Sequence, residues 1–270
     1  MKKQLINLFD FYIKSSIHVA FAVCSLALLS IEHTSEPRSI SLLIFIFCSA
    51  LFAYNFIKFF PIYLERKTVY FSDPIFWLSV GCFLFSFYFF IGLTIRSQLI
   101  VILGGALVLF YSIPFGKDKV NLRNTKGWKI YLVVLSWVLL TVGLPFSVAP
   151  VFDFKLFFQL LLIQSIYIFV AIIPFDIRDI AIDDTSLFTL PQRLGTKRVK
   201  ILGNLILVID LIFVIFSFGV CIPLTWSCTL CFLLLAYFLQ RSSPERSKYF
   251  TSFWVESIPI FWLMCFYLIA

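Results

Sequence analysis

Apolar residues fill most of the chain in long runs, and short polar segments separate those runs. Each run is long enough to cross roughly 30 Å of hydrocarbon as an α-helix. The pattern predicts an all-α, polytopic membrane protein with nine transmembrane helices, at residues 10–31, 39–64, 73–95, 97–115, 128–149, 155–175, 199–220, 222–240 and 252–270. The polar breaks near residues 96–98 and 221–223 are the shortest, so the helix boundaries are least sharply defined there.

Composition supports this prediction. Of the 270 residues, 61% are hydrophobic and 13% are charged, and the mean hydropathy is +1.00. So few polar residues cannot cover the surface of a water-soluble protein. We expect residues 1–270 to form one transmembrane domain.

The basic residues indicate an orientation. If the N-terminus lies inside, Arg38, Arg96 and Lys155 fall outside, and the other 19 of the 22 basic residues fall at inner helix ends and loops. Basic residues in short loops stay in the cytoplasm, so we expect a cytoplasmic N-terminus and cytoplasmic loops in a bacterial inner membrane. The net charge of +8 then faces anionic membrane lipids and does not indicate nucleic acid.

An acidic segment, FDIRDIAIDDTSLFTLPQRLG at 175–195, follows the sixth run. Asp176, Asp179 and Asp183 are three and four residues apart, so they share one face of a helix that continues from the sixth span. Neighbouring carboxylates repel one another unless a cation compensates them, and such ligands suit Mg²⁺, which often bridges to phosphates. The alternative is a solvated acidic loop with pairs inside the helix.

The spacing DxxDxxxD followed by TLPxxLG resembles the second aspartate-rich motif of the UbiA superfamily of intramembrane prenyltransferases. That motif lies in the cytoplasmic loop between helices six and seven, and the helix count and chain length also agree. The resemblance implies helices around a central cavity, capped by cytoplasmic loops. It further implies that Asp176, Asp179 and Asp183 are catalytic and hold Mg²⁺, which binds an isoprenyl diphosphate whose prenyl group passes to an acceptor.

The first motif of the superfamily, approximately NDxxDxxxD at the end of helix two, is incomplete here. The matching stretch is YNFIKFFPIYLERK, at 54–67. Asn55 keeps its place, but Phe56, Phe59 and Tyr63 stand where the family has aspartates. Lys58, one turn from Asn55, could direct a positive charge toward the diphosphate; alternatively, it extends to the membrane interface.

The stretch after the fourth span, LFYSIPFGKDKVNLRNTKGWKIYLVVLSW, is more loosely similar to the family. The resemblance implies that Tyr111 orients the reacting group. Lys117, Lys119 and Arg123 are candidates for contacts with phosphate oxygens. Their alternative role is the ordinary excess of basic residues in inner loops.

Two acidic residues lie deeper in the spans. Asp210 and Glu256 would each cost roughly 2.5–3.5 kcal/mol to insert as ions, so each should face the interior of the bundle or be protonated. They could contact the acceptor, or they could fix helix packing through a hydrogen bond.

Three functions remain open. The first is a prenyltransferase that acts on an unidentified aromatic or lipid acceptor. The second is a UbiA-type terpene cyclase, and the third is a nonenzymatic isoprenoid-binding membrane protein that has lost half of its metal site. A CDP-alcohol phosphotransferase would need a motif that the chain lacks, and a transporter would not explain TLPQRLG.

Overall fold

The computed structural model describes residues 2–34, 38–66, 73–113 and 127–270. Within these ranges, eight helices are long and apolar enough to span a membrane, and a ninth span results if the bent pair α1 and α2 is counted as one. The helices are α1 (Lys2–Lys14), α2 (Ile17–Ile31), α3 (Ile40–Arg66), α4 (Pro74–Ile91), α5 (Ile95–Ser112), α6 (Lys129–Val138), α7 (Leu144–Val148), α8 (Phe154–Asp179), α9 (Leu190–Leu194), α10 (Thr196–Phe218), α11 (Pro223–Arg241) and α12 (Ile258–Ile269). The all-α, polytopic fold is confirmed, and the protein is an integral, multi-pass membrane protein.

Hydrogen bonds between the ends of different spans mark two faces of the bundle. At one face, Lys58 near the end of α3 donates to Ser16 before α2, at 2.8 Å. We call this side, where α8 ends at Asp179, the motif face. At the opposite face the hydroxyls of Ser97 and Ser147 lie 2.8 Å apart and join the start of α5 to the end of α7.

Three spans depart from regular α-helix. The chain bends by 55° between α1 and α2, where Ser16 has a φ of 65° in the left-handed region. Short π-helical turns at Leu139–Gly143 and Phe250–Val255 precede α7 and α12. Such wide turns are frequent at functional sites, and the second one lies at the motif face beside the charged residues described below.

The bundle has a packed half and an open half. The packed half comprises α8, α10, α11 and α12, which share one large cluster of buried apolar side chains. On α10, a Cβ added to Gly203 would lie 2.6 Å from Leu239 Cδ2, so the helices are in close contact there. The open half comprises α4, α5 and the side of α3 that faces them across a cavity, whereas the other side of α3 shares a second buried apolar cluster with α2. Helix α6 lies between the two halves. A Cβ added to Gly104 or Gly105 of α5 would meet no described atom within 4 Å.

Candidate active site

One ammonium group joins two carboxylates at the motif face. Lys129 Nζ, at the first residue of α6, lies 2.9 Å from Asp176 Oδ1 and 3.0 Å from Asp183 Oδ2. Asp176 is 3% exposed, Asp183 is 11% exposed and Lys129 is 16% exposed. Charges so far removed from water need close partners. We call these three residues the lysine cluster.

A turn after α8, rather than a longer helix, positions Asp183. The helix ends at Asp179, so Asp183 lies in the turn that follows and not on the longer helix that the spacing predicted. The backbone N–H groups of Ile182 and Asp183 both donate to the carbonyl oxygen of Asp179, each at 2.8 Å. This turn keeps the Asp183 carboxylate close to the end of α8, where it meets the ammonium that binds Asp176.

The TLPQRLG segment holds that turn in place. Thr189 precedes the short helix α9, and its N–H donates to Gln192 Oε1 at 2.9 Å, which is half of a capping box. The amide nitrogen of Gln192 donates to the carbonyl oxygens of Asp183 at 3.3 Å and Asp184 at 3.1 Å. Gly195 then has a φ of 77°, which allows α10 to start at once. The motif therefore fixes the backbone that carries Asp183.

The remaining carboxylate of the motif has a different partner. Arg178 Nε and Nη2 donate to the two oxygens of Asp179 at 2.7 and 2.8 Å, a bidentate geometry. The other terminal nitrogen of Arg178 donates to Thr251 Oγ1 at 2.6 Å and to Ser252 Oγ at 3.3 Å. The structure therefore brings Asp176 and Asp183 together but directs Asp179 toward the π-helical turn before α12.

The two deep acids have different surroundings. Glu256 follows that π-helical turn and interacts electrostatically with Lys58 and Arg178. Asp210 is completely buried in the packed half, where Cys228 and Cys231 are among its neighbours. Both acids face the interior of the bundle, and only Glu256 has basic partners near the motif face.

Asn55 and Lys58, the candidates on α3, contact different helices. Asn55 Nδ2 donates to Ser79 Oγ on α4 at 2.8 Å, whereas Lys58 donates to Ser16. Phe56, at a position where the family has an aspartate, stacks on Phe60 with ring centroids 4.5 Å apart. This part of α3 supplies aromatic surface where the family motif would supply carboxylates.

Two cavities adjoin these residues. A pocket of about 520 Å³ has a mostly apolar wall that also includes the charged side chains of Lys129, Asp176 and Arg193, together with Trp128 and Thr189. We call it the polar pocket after these charged side chains. An apolar cavity of about 570 Å³ lies between α3, α4, α5 and α6. Both volumes fall within the range typical of small-molecule sites, roughly 300–1,000 Å³.

Tyr111, at the end of α5, is 9% exposed and lines the apolar cavity. The other candidates from the same stretch, Lys117, Lys119 and Arg123, lie outside the described residues. Their proposed contacts with phosphate therefore stay predictions.

The lysine cluster suits a divalent cation in one respect. Two carboxylates already converge on a single positive atom, and Mg²⁺ is commonly held by one or two carboxylates together with waters and substrate phosphates. In the part of the chain that the structure describes, no group of three His, Cys, Asp or Glu side chains could hold a metal. The geometry thus offers Asp176 and Asp183 as ligands, and Asp179 is engaged by Arg178.

Fold and site together define a class: helical, multi-pass membrane proteins with a charged pocket beside a large apolar cavity. No family model and no curated protein sequence matches the chain. Two solved structures are similar over nearly its whole length. One is a digeranylgeranylglyceryl phosphate synthase, with 16% sequence identity and a TM-score of 0.58; the alignment covers 99% of this chain and 98% of the synthase chain. The other, a UbiA homolog from Archaeoglobus fulgidus, has 11% identity and a TM-score of 0.58 and covers 95% of both chains.

At these identities the similarity concerns the fold. It confirms that the chain resembles the UbiA superfamily in architecture, as its second aspartate motif indicated.

Several residues of the site were not predicted from the sequence. Lys129 belongs to a span boundary where basic residues are common, and nothing in its neighbourhood distinguishes it from Lys117 or Lys119. Arg178 and Thr251 are 73 positions apart, and their hydrogen bond depends on the packing of α8 against the last span. Gln192 stands inside the recognised motif, and its position three residues after Thr189 was an available signal for a cap.

Proposed function

We propose that this chain is an intramembrane prenyltransferase that transfers an isoprenyl group from an isoprenyl diphosphate to an aromatic or lipid acceptor, with Mg²⁺ as its cofactor. The diphosphate binds in the polar pocket, and the isoprenyl chain lies in the apolar cavity. During transfer, the bond between C1 of the isoprenyl group and the diphosphate oxygen breaks, and the diphosphate keeps the electron pair. The acceptor atom forms the new bond to C1 and loses a proton.

The observation that carries this proposal is that α6 forms a wall of both cavities. Lys129 begins α6 and lies in the polar pocket, whereas Leu132 and Val133 line the apolar cavity. Three or four residues correspond to about 5–6 Å along a helix. In this proposal the substrate passes around the start of α6, with its charged head in one compartment and its hydrocarbon tail in the other.

Each group of residues has a distinct task in this proposal. Asp176 and Asp183 hold Mg²⁺, which when bound stabilises the charge of the departing diphosphate. Lys129 and Arg193 lie at the same pocket and donate to phosphate oxygens. Tyr111 orients the reacting group at the wall of the apolar cavity. The apolar side chains of the cavity exclude water, which would otherwise capture the allylic cation.

The same proposal includes the membrane placement expected from the basic residues. The motif face is cytoplasmic, and the membrane is a bacterial inner membrane whose lipids surround residues 1–270 as one UbiA-like domain. Lys117, Lys119 and Arg123 stay candidates for contacts with phosphate oxygens on the sequence alone, and Asn55 and Lys58 approach the diphosphate from α3.

A pyrophosphate-release assay tests the function. The purified protein is supplied with Mg²⁺, acceptor lipids and aromatic acceptors, and a series of allylic diphosphates of increasing chain length. We expect Mg²⁺-dependent release that falls at least about 100-fold in Asp176→Asn, because a charge-stabilising group is lost. Glu245→Gln, which alters an exposed acid beyond α11, is the matched control and should leave the rate unchanged. No release at any chain length would overturn the enzymatic proposal.

The second candidate is a nonenzymatic isoprenoid-binding protein, and the packing of Phe56 on Phe60 at the first motif favours it. Diphosphate binding without pyrophosphate release would support this candidate. A terpene cyclase remains the third alternative, because the same site would serve it. Product analysis separates the two enzymes, since a transferase gives a prenylated acceptor and a cyclase gives a cyclic hydrocarbon or alcohol.

A further inference from the structure

The lysine cluster carries an inference that rests on the proposed function and deepens it. Lys129 Nζ is within hydrogen-bond distance of both Asp176 and Asp183, so it lies at the point on which the two carboxylates converge. The lysine cluster, with two carboxylates and one ammonium, has a net charge of −1. The Arg178–Asp179 pair beside it is neutral and does not change this charge. Arg193 at the polar pocket offsets this charge, so a diphosphate, which carries several negative charges, meets no net positive charge unless a further cation enters the pocket.

A divalent cation and the Lys129 ammonium compete for one place. Mg²⁺ approaches carboxylate oxygens to 2.0–2.1 Å in typical protein sites. An ammonium that remained 2.9–3.0 Å from the same two carboxylates would lie directly beside that cation and repel it. The four-carbon stem of lysine is flexible, so the ammonium can leave the carboxylates while the backbone of α6 stays in place.

We propose that Lys129 is a placeholder cation: it neutralises Asp176 and Asp183 in the empty protein, gives them up to the divalent cation, and then binds the diphosphate that arrives with it. Metal and diphosphate binding are thereby coupled. The metal alone binds weakly because it must displace an ammonium, and the diphosphate provides the new partner that makes this displacement favourable.

Removing the ammonium should have opposite effects on the two ligands. In Lys129→Met the carboxylates lose their competitor, so Mn²⁺, a paramagnetic substitute for Mg²⁺, should bind about 10-fold more tightly in the absence of any diphosphate. The same variant lacks the phosphate donor, so it should bind inorganic pyrophosphate in the presence of Mg²⁺ about 10-fold more weakly. A purely structural role for Lys129 would weaken both.

The measurements use the full-length protein in detergent. Mn²⁺ binding is followed by electron paramagnetic resonance, and pyrophosphate binding by calorimetry. Lys197→Met removes an exposed lysine at the start of α10 and is the matched control, with both affinities expected to equal those of the unmodified protein. Lys129→Met with Asp176→Asn should lose the gain in Mn²⁺ affinity, because the gain depends on the freed carboxylates.

A variant that keeps the charge covers the case in which Lys129→Met does not fold. In Lys129→Arg the guanidinium can donate hydrogen bonds to both carboxylates, so Mn²⁺ should bind no more tightly than in the unmodified protein. Equal or weaker Mn²⁺ binding by a folded Lys129→Met, or tighter binding by Lys129→Arg, would overturn the proposal. Unchanged pyrophosphate affinity in Lys129→Met would overturn its second step. The Mn²⁺ result needs no prenyl transfer, so it stands apart from any failure of the pyrophosphate-release assay.

Discussion

The packed and open halves are built from similarly apolar helices but use them differently. The α5 span has a mean hydropathy of 1.7 and α11 one of 1.4, yet 17% of the α5 window and 44% of the α11 window are buried inside the protein. A Cβ at Gly203 in the packed half would have to displace the end of the Leu239 side chain, whereas Gly104 and Gly105 in the open half border space. Hydropathy identifies which helices enter the membrane, and side-chain packing decides how much of each helix is buried inside the protein.

This division matches the proposed function. The end of α8 supplies the carboxylates, and its rigid packing against α10 and α11 keeps their positions fixed. The open half supplies the apolar wall, where loose packing leaves room for a hydrocarbon chain. Four predictions test or refine the contrast.

The largest expected effect is on stability, in Gly203→Leu. The new side chain would overlap Leu239 and approach Ile173 and Val170, so overpacking should lower the free energy of unfolding by about 1–3 kcal/mol. Thermal unfolding in detergent measures the loss. An unchanged melting temperature would mean that the packed half is not closely packed at α10.

The same change in the open half, Gly105→Leu, should alter binding instead. Because the added side chain enters the apolar cavity, the stability should change by less than about 0.5 kcal/mol. The affinity for the longest prenyl diphosphate accepted should fall about 10-fold, and that for short ones should stay constant. Gly81→Leu on α4 has equal space outside the cavity and serves as the control. If Gly105→Leu left the affinity unchanged at every chain length, the prenyl chain would not bind in the apolar cavity.

A smaller effect is expected from Lys58→Met. This variant tests whether a positive charge from the open half contributes to diphosphate binding. Loss of this ammonium near Glu256 should weaken diphosphate binding about fivefold, equivalent to about 1 kcal/mol, with little change in stability. Titration with pyrophosphate and Mg²⁺ measures it. An unaltered binding curve would confine the charged site to the packed half and α6.

The smallest effect concerns pH at the opposite face. Arg38 donates to the Glu32 carboxylate, and this contact lowers the pKa of Glu32 below its usual 4.5. The ion pair therefore contributes to stability above pH 4.5, and this contribution is lost as the pH falls through the lowered pKa of Glu32. Because Arg38 is 61% exposed, Glu32→Gln should cost only a few tenths of a kcal/mol at pH 7. The difference in melting temperature between the two proteins should shrink below about pH 4; a constant difference would show that charge is not the cause.

The sequence predicted the spans and the location of the acidic motif, because long apolar runs and local spacing carry that information. It also placed Asp176 near Asp183, although the reason was different: a turn stabilised by Gln192 replaced the expected helix.

The pairing of charges was not predictable. Lys129 forms an ion pair with Asp176, which lies 47 positions further along the chain. The Asp179 carboxylate points away from Lys129 because it pairs with Arg178, which also donates a hydrogen bond to Thr251 on another span. Only the packing of α6, α8 and the last span decides these contacts. The size of the apolar cavity was equally hidden, because one glycine in an apolar run cannot be distinguished by sequence from another.

The bend at Ser16 has a consequence for the surrounding bilayer. With 15 residues, α2 extends about 22 Å, which is less than the roughly 30 Å thickness of a typical hydrocarbon layer. Most residues of α2 are buried among other helices and Ser16 is only 1% exposed, so protein rather than lipid covers this short end. We therefore expect the bend to keep α1 across this end of the bundle, where it shields Ser16 from the lipid headgroups.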